Sequence, residues 1–434
     1  MRSSRALKDR NPLSFRSAAA MAASLLIGVL SACSSGGSGS AGQSADVPGV
    51  TANSVTVGLI TSLTGPSAAS FSTVLPGFNA RIALQNAEGG VNDRTIKVVD
   101  ADDQGTTTTA LSAAQTLVQQ KKVFAVGSVS PTLYAAEPYL KQQGIPVIGY
   151  PLDGVEWASP NENMFPALGS PSPKLPAARW YGTFFKSQGA TNVAVVTVAI
   201  PAGVASAKNM RASVEAAGLK SAYGNYTVPL TQEGSFNSII AQMQASGADG
   251  VYIELFPTAA FNFLAAIRQS GWTPKTILIG APIPSAVFSN PQARATAAGI
   301  WVATPFVPTS LHTPSTLAFQ AALLKYEHQT SAPDENEYAG WAVASTLIKG
   351  LEAAGKNMTQ ASFTQSLRKV NGFTVDGLSS SPVSYTASFG TGGEGAGPAP
   401  EDCVYMEQYN PGVNAYVSQP KPICGGLVPN SNAA

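Results

Sequence analysis

Charge is scarce in this chain. Only 12% of its 434 residues are Asp, Glu, Lys or Arg, and 26 basic residues nearly balance 25 acidic ones. That balance argues against a nucleic-acid partner, because neutralising phosphates takes a basic face. Histidine is scarcer still: His312 and His328 are the two present, with no HExxH pair around them, and both read as surface residues. Three cysteines and no GxSxG elbow leave neither a zinc-ligand set nor a nucleophile–base constellation. GxGxxG occurs at Gly37/Gly39/Gly42 and at Gly390/Gly392/Gly395, but neither copy lies between a strand and a helix as a dinucleotide site requires. No enzyme activity, metal or organic cofactor is expected. Beyond residue 32 no apolar run is long enough to span a bilayer.

What is present begins at the amino end. Arg2, Arg5, Lys8, Arg10 and Arg16 precede a short apolar segment at 18–30 and then Leu30-Ser31-Ala32-Cys33. Basic residues followed by a short apolar run are the marks of a secretory signal. Leu-Ser-Ala-Cys resembles the bacterial lipobox, which implies removal of residues 1–32 and lipid on Cys33. Removal takes five of the 26 basic and one of the 25 acidic residues, leaving a net charge of −3. The Gly/Ser-rich stretch that follows makes 33–52 a flexible tether. With Cys33 consumed by lipid, Cys403 and Cys424 remain in an exported chain. They are expected to form a disulfide, the alternative being two buried free thiols.

Residues 55–104 hold the first folded unit. The β-branched run at 55–60 reads as a buried strand, a helix follows and stops at Glu88-Gly89-Gly90-Val91, and IKVVDADD within 94–103 is a second strand. Helices at 106–122 and 133–143 then alternate with strands at 123–127 and 145–150, so a parallel sheet with right-handed crossovers is expected. A Pro/Asn/Ser-rich stretch at 153–173 separates this series from a second one. There, helices at 180–187, 205–217, 235–246 and 259–270 alternate with strands at 192–199, 221–228, 250–256, 276–280 and 300–307. Helices at 315–329, 336–354 and 360–370 and strands at 383–389 and 404–409 complete the reading. Asp102 and Asp103 read as structural, capping the helix at 106–122.

The order of a strand, a Thr64-Gly65-Pro66 loop, a helix ending in Gly89-Gly90-Val91-Asn92 and a strand ending in acids resembles the start of the leucine/isoleucine/valine-binding proteins. The resemblance extends more loosely from 55 to 409. It implies the type I periplasmic-binding fold, two doubly wound α/β lobes joined by a multi-strand hinge with a ligand cleft between them. Lobe 1 is then expected at 53–167 plus 306–375 and lobe 2 at 168–305 plus 376–434. It also implies a monomeric, lipid-anchored, extracytoplasmic solute-binding protein that serves the permease subunits of an ABC importer. A ligand-sensing or envelope interaction lipoprotein of the same fold is the alternative.

Ligands in open α/β sheets sit beyond the carboxyl ends of the strands. The expected ligand-binding residues are therefore Ser130, Thr132, Tyr150 and Asp153 from lobe 1, and Ala202, Glu254, Phe256 and Pro282 from lobe 2. The resemblance implies a carboxylate-binding role for Ser130 and pocket closure by Phe256. Pro282 stands where that family has its ammonium-binding acid, and Ala202 where it has a tyrosine; Asp153 or Glu254 are the candidate replacements. Pro151, Leu152, Ile200, Pro201, Phe256 and Pro282 give the cleft loops an apolar composition, suiting a branched or aromatic acid, an amide or a short peptide.

Overall fold

Apolar runs without alternation bury both faces of a strand, and here they build one parallel and one mostly parallel sheet, flanked by helices. The computed structural model describes residues 47–65, 67–150, 152, 157, 161–168, 177–199, 201–229, 235–280, 282–283, 285–385, 403–429 and 431, with the backbone alone at 201, 202, 223–226, 285 and 286. The signal segment, Cys33, the tether as far as 46, and Asp153 lie outside the described residues.

The first sheet comprises β1 (Ser54–Thr61), β2 (Thr95–Asp102), β3 (Val126–Val129), β4 (Val147–Gly149) and β5 (Met164–Pro166), all parallel in the order β2-β1-β3-β4-β5. The second has seven strands in one path, β12-β11-β10-β9-β8-β6-β7, with β13 paired to β11. Its members are β6 (Asn192–Val198), β7 (Lys220–Val228), β8 (Gly250–Glu254), β9 (Thr276–Ile279), β10 (Trp301–Thr304), β11 (Cys403–Asn410), β12 (Ala415–Ser418) and β13 (Ile423–Cys424). β6 to β10 run parallel, whereas β11 is antiparallel to β10 and β12 to β11.

Helices α1 (Ala68–Phe71), α2 (Val74–Ala87), α3 (Thr107–Gln115) and α4 (Glu137–Gln142) join the strands of the first sheet. α5 (Trp180–Ser187), α6 (Pro201–Ala216), α7 (Asn237–Ala245), α8 (Pro257–Gln269) and α9 (Pro291–Ala297) do so in the second. α10 (Pro314–Glu327), α11 (Glu335–Ala354) and α12 (Gln360–Leu367) return to the first, where α11 packs on α2. That crossing is close because it lacks side chains: a Cβ on Gly77 would fall 2.0 Å from the Glu337 carbonyl oxygen, and one on Gly340 2.2 Å from that of Val74. The whole forms a doubly wound α/β architecture with an apolar core on each face of each sheet.

Several expectations change. The stretch 47–51 was read as tether, yet Val47 and Val50 pack on the first core and the Thr56 N–H donates to Gly49 O at 2.7 Å. Gly49 has φ +74°, which allows the chain to turn there at no steric cost. Of the strand expected at 383–389 in the second lobe, residues 386–389 lie outside the described residues, and Val383 makes an isolated bridge with Phe373. Val383 and Tyr385 lie in the first core; the Tyr385 hydroxyl donates to Pro166 O at 2.6 Å and its ring meets Phe165 edge-on. Asp376, also expected in the second lobe, accepts from buried Arg81 at 2.8 Å and from Ser345 at 2.6 Å. The first core thus continues past 375 to Tyr385. The helix expected at 106–122 passes into a π-helical turn at Thr116–Gln120.

Candidate functional site

The capping of α11 sets one wall of the site. Asp334 is its N-cap, accepting from the Asn336 and Glu337 N–H groups at 2.9 and 3.0 Å, while Glu337 Oε2 accepts from the Asp334 N–H at 2.6 Å. This reciprocal box fixes where the helix begins, and so places Glu335, its first residue, beside Tyr150 just after β4. The Tyr150 hydroxyl donates to Glu335 Oε1 at 3.1 Å. Opposite stand Trp180 and Tyr181 at the start of α5, and Tyr252 in β8. Ile279, Gly280, Ala303 and Val404 complete an apolar side at the carboxyl ends of β9 and β10 and the start of β11.

These residues enclose a cavity of about 130 Å³ between the two sheets. A larger depression of about 480 Å³, beside Val50, Lys122 and Gln360, is lined from the first sheet's side alone. Only the smaller one takes residues from both sheets and from the strand ends where solutes sit in open α/β folds.

Electrostatics around the cavity is one-sided. Burial pushes the Glu335 carboxyl up to about 8 against the opposing Tyr150 hydrogen bond, with the Glu407 and Asp334 carboxyls adding to the rise. Glu254, at the end of β8, is pushed up to about 7 by burial, although the Ser206 and Tyr252 hydroxyls hold it. It lies against Gly280, where a Cβ would come within 3.0 Å of Glu254 Cγ. Glu407 on β11 is also raised by burial to about 7. Oε2 of Glu335 and Oε2 of Glu254 are both buried and accept no hydrogen bond.

Of the residues expected from the sequence, the structure brings Tyr150 to this cavity; Glu254 does not line it but lies directly behind Gly280, which does. Ser130 and Thr132 do not line it; they lie just past the carboxyl end of β3, gathered around fully buried Asp103 after β2. Asp103 accepts from the Ser130 hydroxyl, from Ser62 at 2.5 Å, from the Gly105 N–H at 2.9 Å and from Thr132 at 3.4 Å. Neighbouring Asp102 accepts from the Leu63 and Thr64 N–H groups at 2.9 and 3.2 Å and from the Thr64 hydroxyl. Both aspartates therefore tie loops together; the cap of α3 is Thr106, which accepts from Thr109 N–H. Phe256 is the N-cap residue of α8 and does not line the cavity, nor does half-buried Pro282. Ala202 lies in the first turn of α6, which begins four residues before the expected 205.

Trp180, Tyr181 and Glu335 were missed because each stands at the start of a helix, whereas the strand-end rule looks just past strands. A Trp-Tyr pair directly after a Pro-rich crossing was the available signal. For Glu335, the acidic run Asp334-Glu335-Asn336-Glu337 reads as ordinary capping. Among the described residues, no group of three or more His, Cys, Asp or Glu side chains could hold a metal ion. None of their helices is long and apolar enough to cross a membrane.

The family model described as periplasmic binding protein matches residues 54–405. The chain belongs to the periplasmic binding protein family. This periplasmic binding protein is 24% identical over 200 residues to the Leu/Ile/Val-binding protein homolog 3 of Brucella melitensis, a match covering 46% of the chain and 53% of that relative. The chain thus spans about half the length of the curated relative it matches. Its fold is that of a solute-binding protein of R. palustris in complex with 4-hydroxybenzoate, at TM-score 0.70 and 17% identity over 87% of this chain and 98% of the other. A fatty acid ABC transporter substrate-binding protein of Thermomonospora curvata superposes at TM-score 0.68 and 18% identity, covering 89% and 97%. A leucine-binding protein of Thermotoga maritima does so at 0.66 and 16%, covering 84% and 97%. The two α/β sheets and their parallel order are those of type I periplasmic binding proteins.

Proposed function

We propose that this chain is an extracytoplasmic solute-binding protein of an ABC-type importer, held to the membrane by lipid on Cys33. It takes a small organic solute between two lobes and presents it to permease subunits. The cavity carries this reading: it draws residues from both sheets and lies at the strand ends, so a solute there would bridge the lobes and favour their closed arrangement. The solved relatives that bind 4-hydroxybenzoate, fatty acid and leucine support the same class of role, and the signal-like amino end supports export. Binding alone is required of the protein, with no bond made or broken.

A thermal-shift screen of the full-length chain in mild detergent tests the proposal, using amino acids, amides, amines, aromatic acids, sugars and short peptides. A solute that binds only the folded state adds about 2.7 kcal/mol of stability at a hundredfold excess over its Kd. At least one such shift is expected, and silence across the panel from a cooperatively unfolding chain overturns the reading. Mass spectrometry of the membrane-extracted protein tests the anchor: the expected amino terminus is an acylated Cys33, and an intact residue 32 or an unmodified Cys33 rejects it.

A further inference from the structure

Taking the cavity as the solute site, as proposed above, we infer that its ligand is a small organic cation, an ammonium on an apolar body, without a carboxylate of its own. Four features of the site carry this. Glu335 lines it from the start of α11, and Glu254 lies behind the lining residue Gly280. One oxygen of each is buried with no donor, although buried polar atoms are ordinarily paired. A ligand ammonium, with three N–H groups to give, supplies a donor to Glu335 and brings positive charge towards Glu254.

Aromatic rings form the second feature. Tyr150, Trp180, Tyr181 and Tyr252 all line the cavity, and ring faces attract cations, most strongly where water is excluded. The third is the missing counter-charge: among the described residues, no Lys, Arg or His lines the cavity. A carboxylate ligand would lose its hydration there with no lining cation to offset its charge. The fourth lies outside the cavity, beyond the carboxyl ends of β1 and β3. The Ser62 and Ser130 hydroxyls, the former the residue after β1 and the latter the residue after β3, donate to Asp103 and so are not free donors for a ligand carboxylate. Size agrees as well, since a cavity near 150 Å³ holds a benzene molecule and this one is about 130 Å³.

The test uses matched ligands on the full-length chain, with binding followed by calorimetry and by fluorescence of Trp180. One set is benzylamine, benzyl alcohol and benzoate; the other is isoamylamine, leucine and isovalerate. Each amine is expected to bind at least tenfold tighter than its matched acid, and isoamylamine tighter than leucine. Glu335→Gln and Glu254→Gln are each expected to weaken amine binding at least tenfold while leaving cooperative unfolding intact. Benzoate, isovalerate or leucine binding as tightly as the matched amine overturns the inference and leaves the solute-binding reading standing. Unchanged amine affinity in both folded variants overturns it too. Silence from both sets and from the wider panel removes the solute-binding reading, and the inference with it.

Discussion

Ser130 gives its hydroxyl proton to Asp103, a bond that ties the loop after β3 to the loop after β2. Asp103 is fully buried, and three loops converge on it through Ser62, Gly105 and the Ser130–Thr132 pair. Asp103→Ala strands several buried donors at once and is expected to cost about 3 kcal/mol, against roughly 1 kcal/mol for Ser130→Ala. Urea unfolding of both variants measures this. Equal losses would show that Ser130 is not held mainly through Asp103.

Gly340 tests the helix crossing. A methyl group there would sit 2.2 Å from Val74 O, so α2 and α11 must separate to admit it. Gly340→Ala is expected to lower stability by about 2 kcal/mol despite the better helix propensity of alanine. A neutral or stabilising outcome in thermal melts would mean that the helices are not in backbone contact.

Cys403 and Cys424 are joined by a disulfide across the β11–β13 pair, 21 residues apart in sequence. Closing a loop of that length restrains the unfolded chain by about 3 kcal/mol. Reduction, or the double variant Cys403→Ala/Cys424→Ala, is therefore expected to lower the urea midpoint clearly. No shift on reduction would count against the bridge.

The acid side chains of the cavity make stability depend on pH. Burial raises Glu335 from 4.5 to about 8, and Glu254 and Glu407 from 4.5 to about 7, so the folded chain holds these protons more tightly than the unfolded one. Their contribution is complete below about pH 4.5 and is lost as pH rises through 7 and 8. Tyr150, Asp334, Glu407 and Tyr416 are the titratable groups facing Glu335. Asp249 acts in the opposite sense: burial is outweighed by bonds from Lys275, Asn192 and Thr191, its pKa is about 2, and its contribution is lost only in acid. Tm without ligand is expected to fall by roughly 2–5 °C between pH 5 and pH 8.5, and Glu335→Gln to flatten that fall. A Tm that rises over this range would contradict the burial of these groups.

Much of the fold was legible because its strands are continuous apolar runs and most of its helices carry caps or glycine stops. β6, α5 and α11 fall within a residue of where the pattern placed them. The short elements β5, β12 and β13 carry too few residues to show a period, and α9 hides in an alanine-rich stretch. In the site, Tyr150 was legible because it follows a strand, β4. Glu335 was not, since only the meeting of the two sheets shows what its carboxyl faces.

The first core draws on residues 47–168 and 306–385, with the whole α5-to-β10 segment between them. A ribosome or translocation pore delivers the chain amino end first. β1 and α2 are thus among the earliest segments to emerge, yet they wait for α11, some 250 residues later, before their apolar surfaces are covered. Pairing so distant in sequence is slow to form. Until residue 385 has arrived the leading part of the chain stays unfinished, a delay that exposes it to aggregation if delivery of the chain stalls.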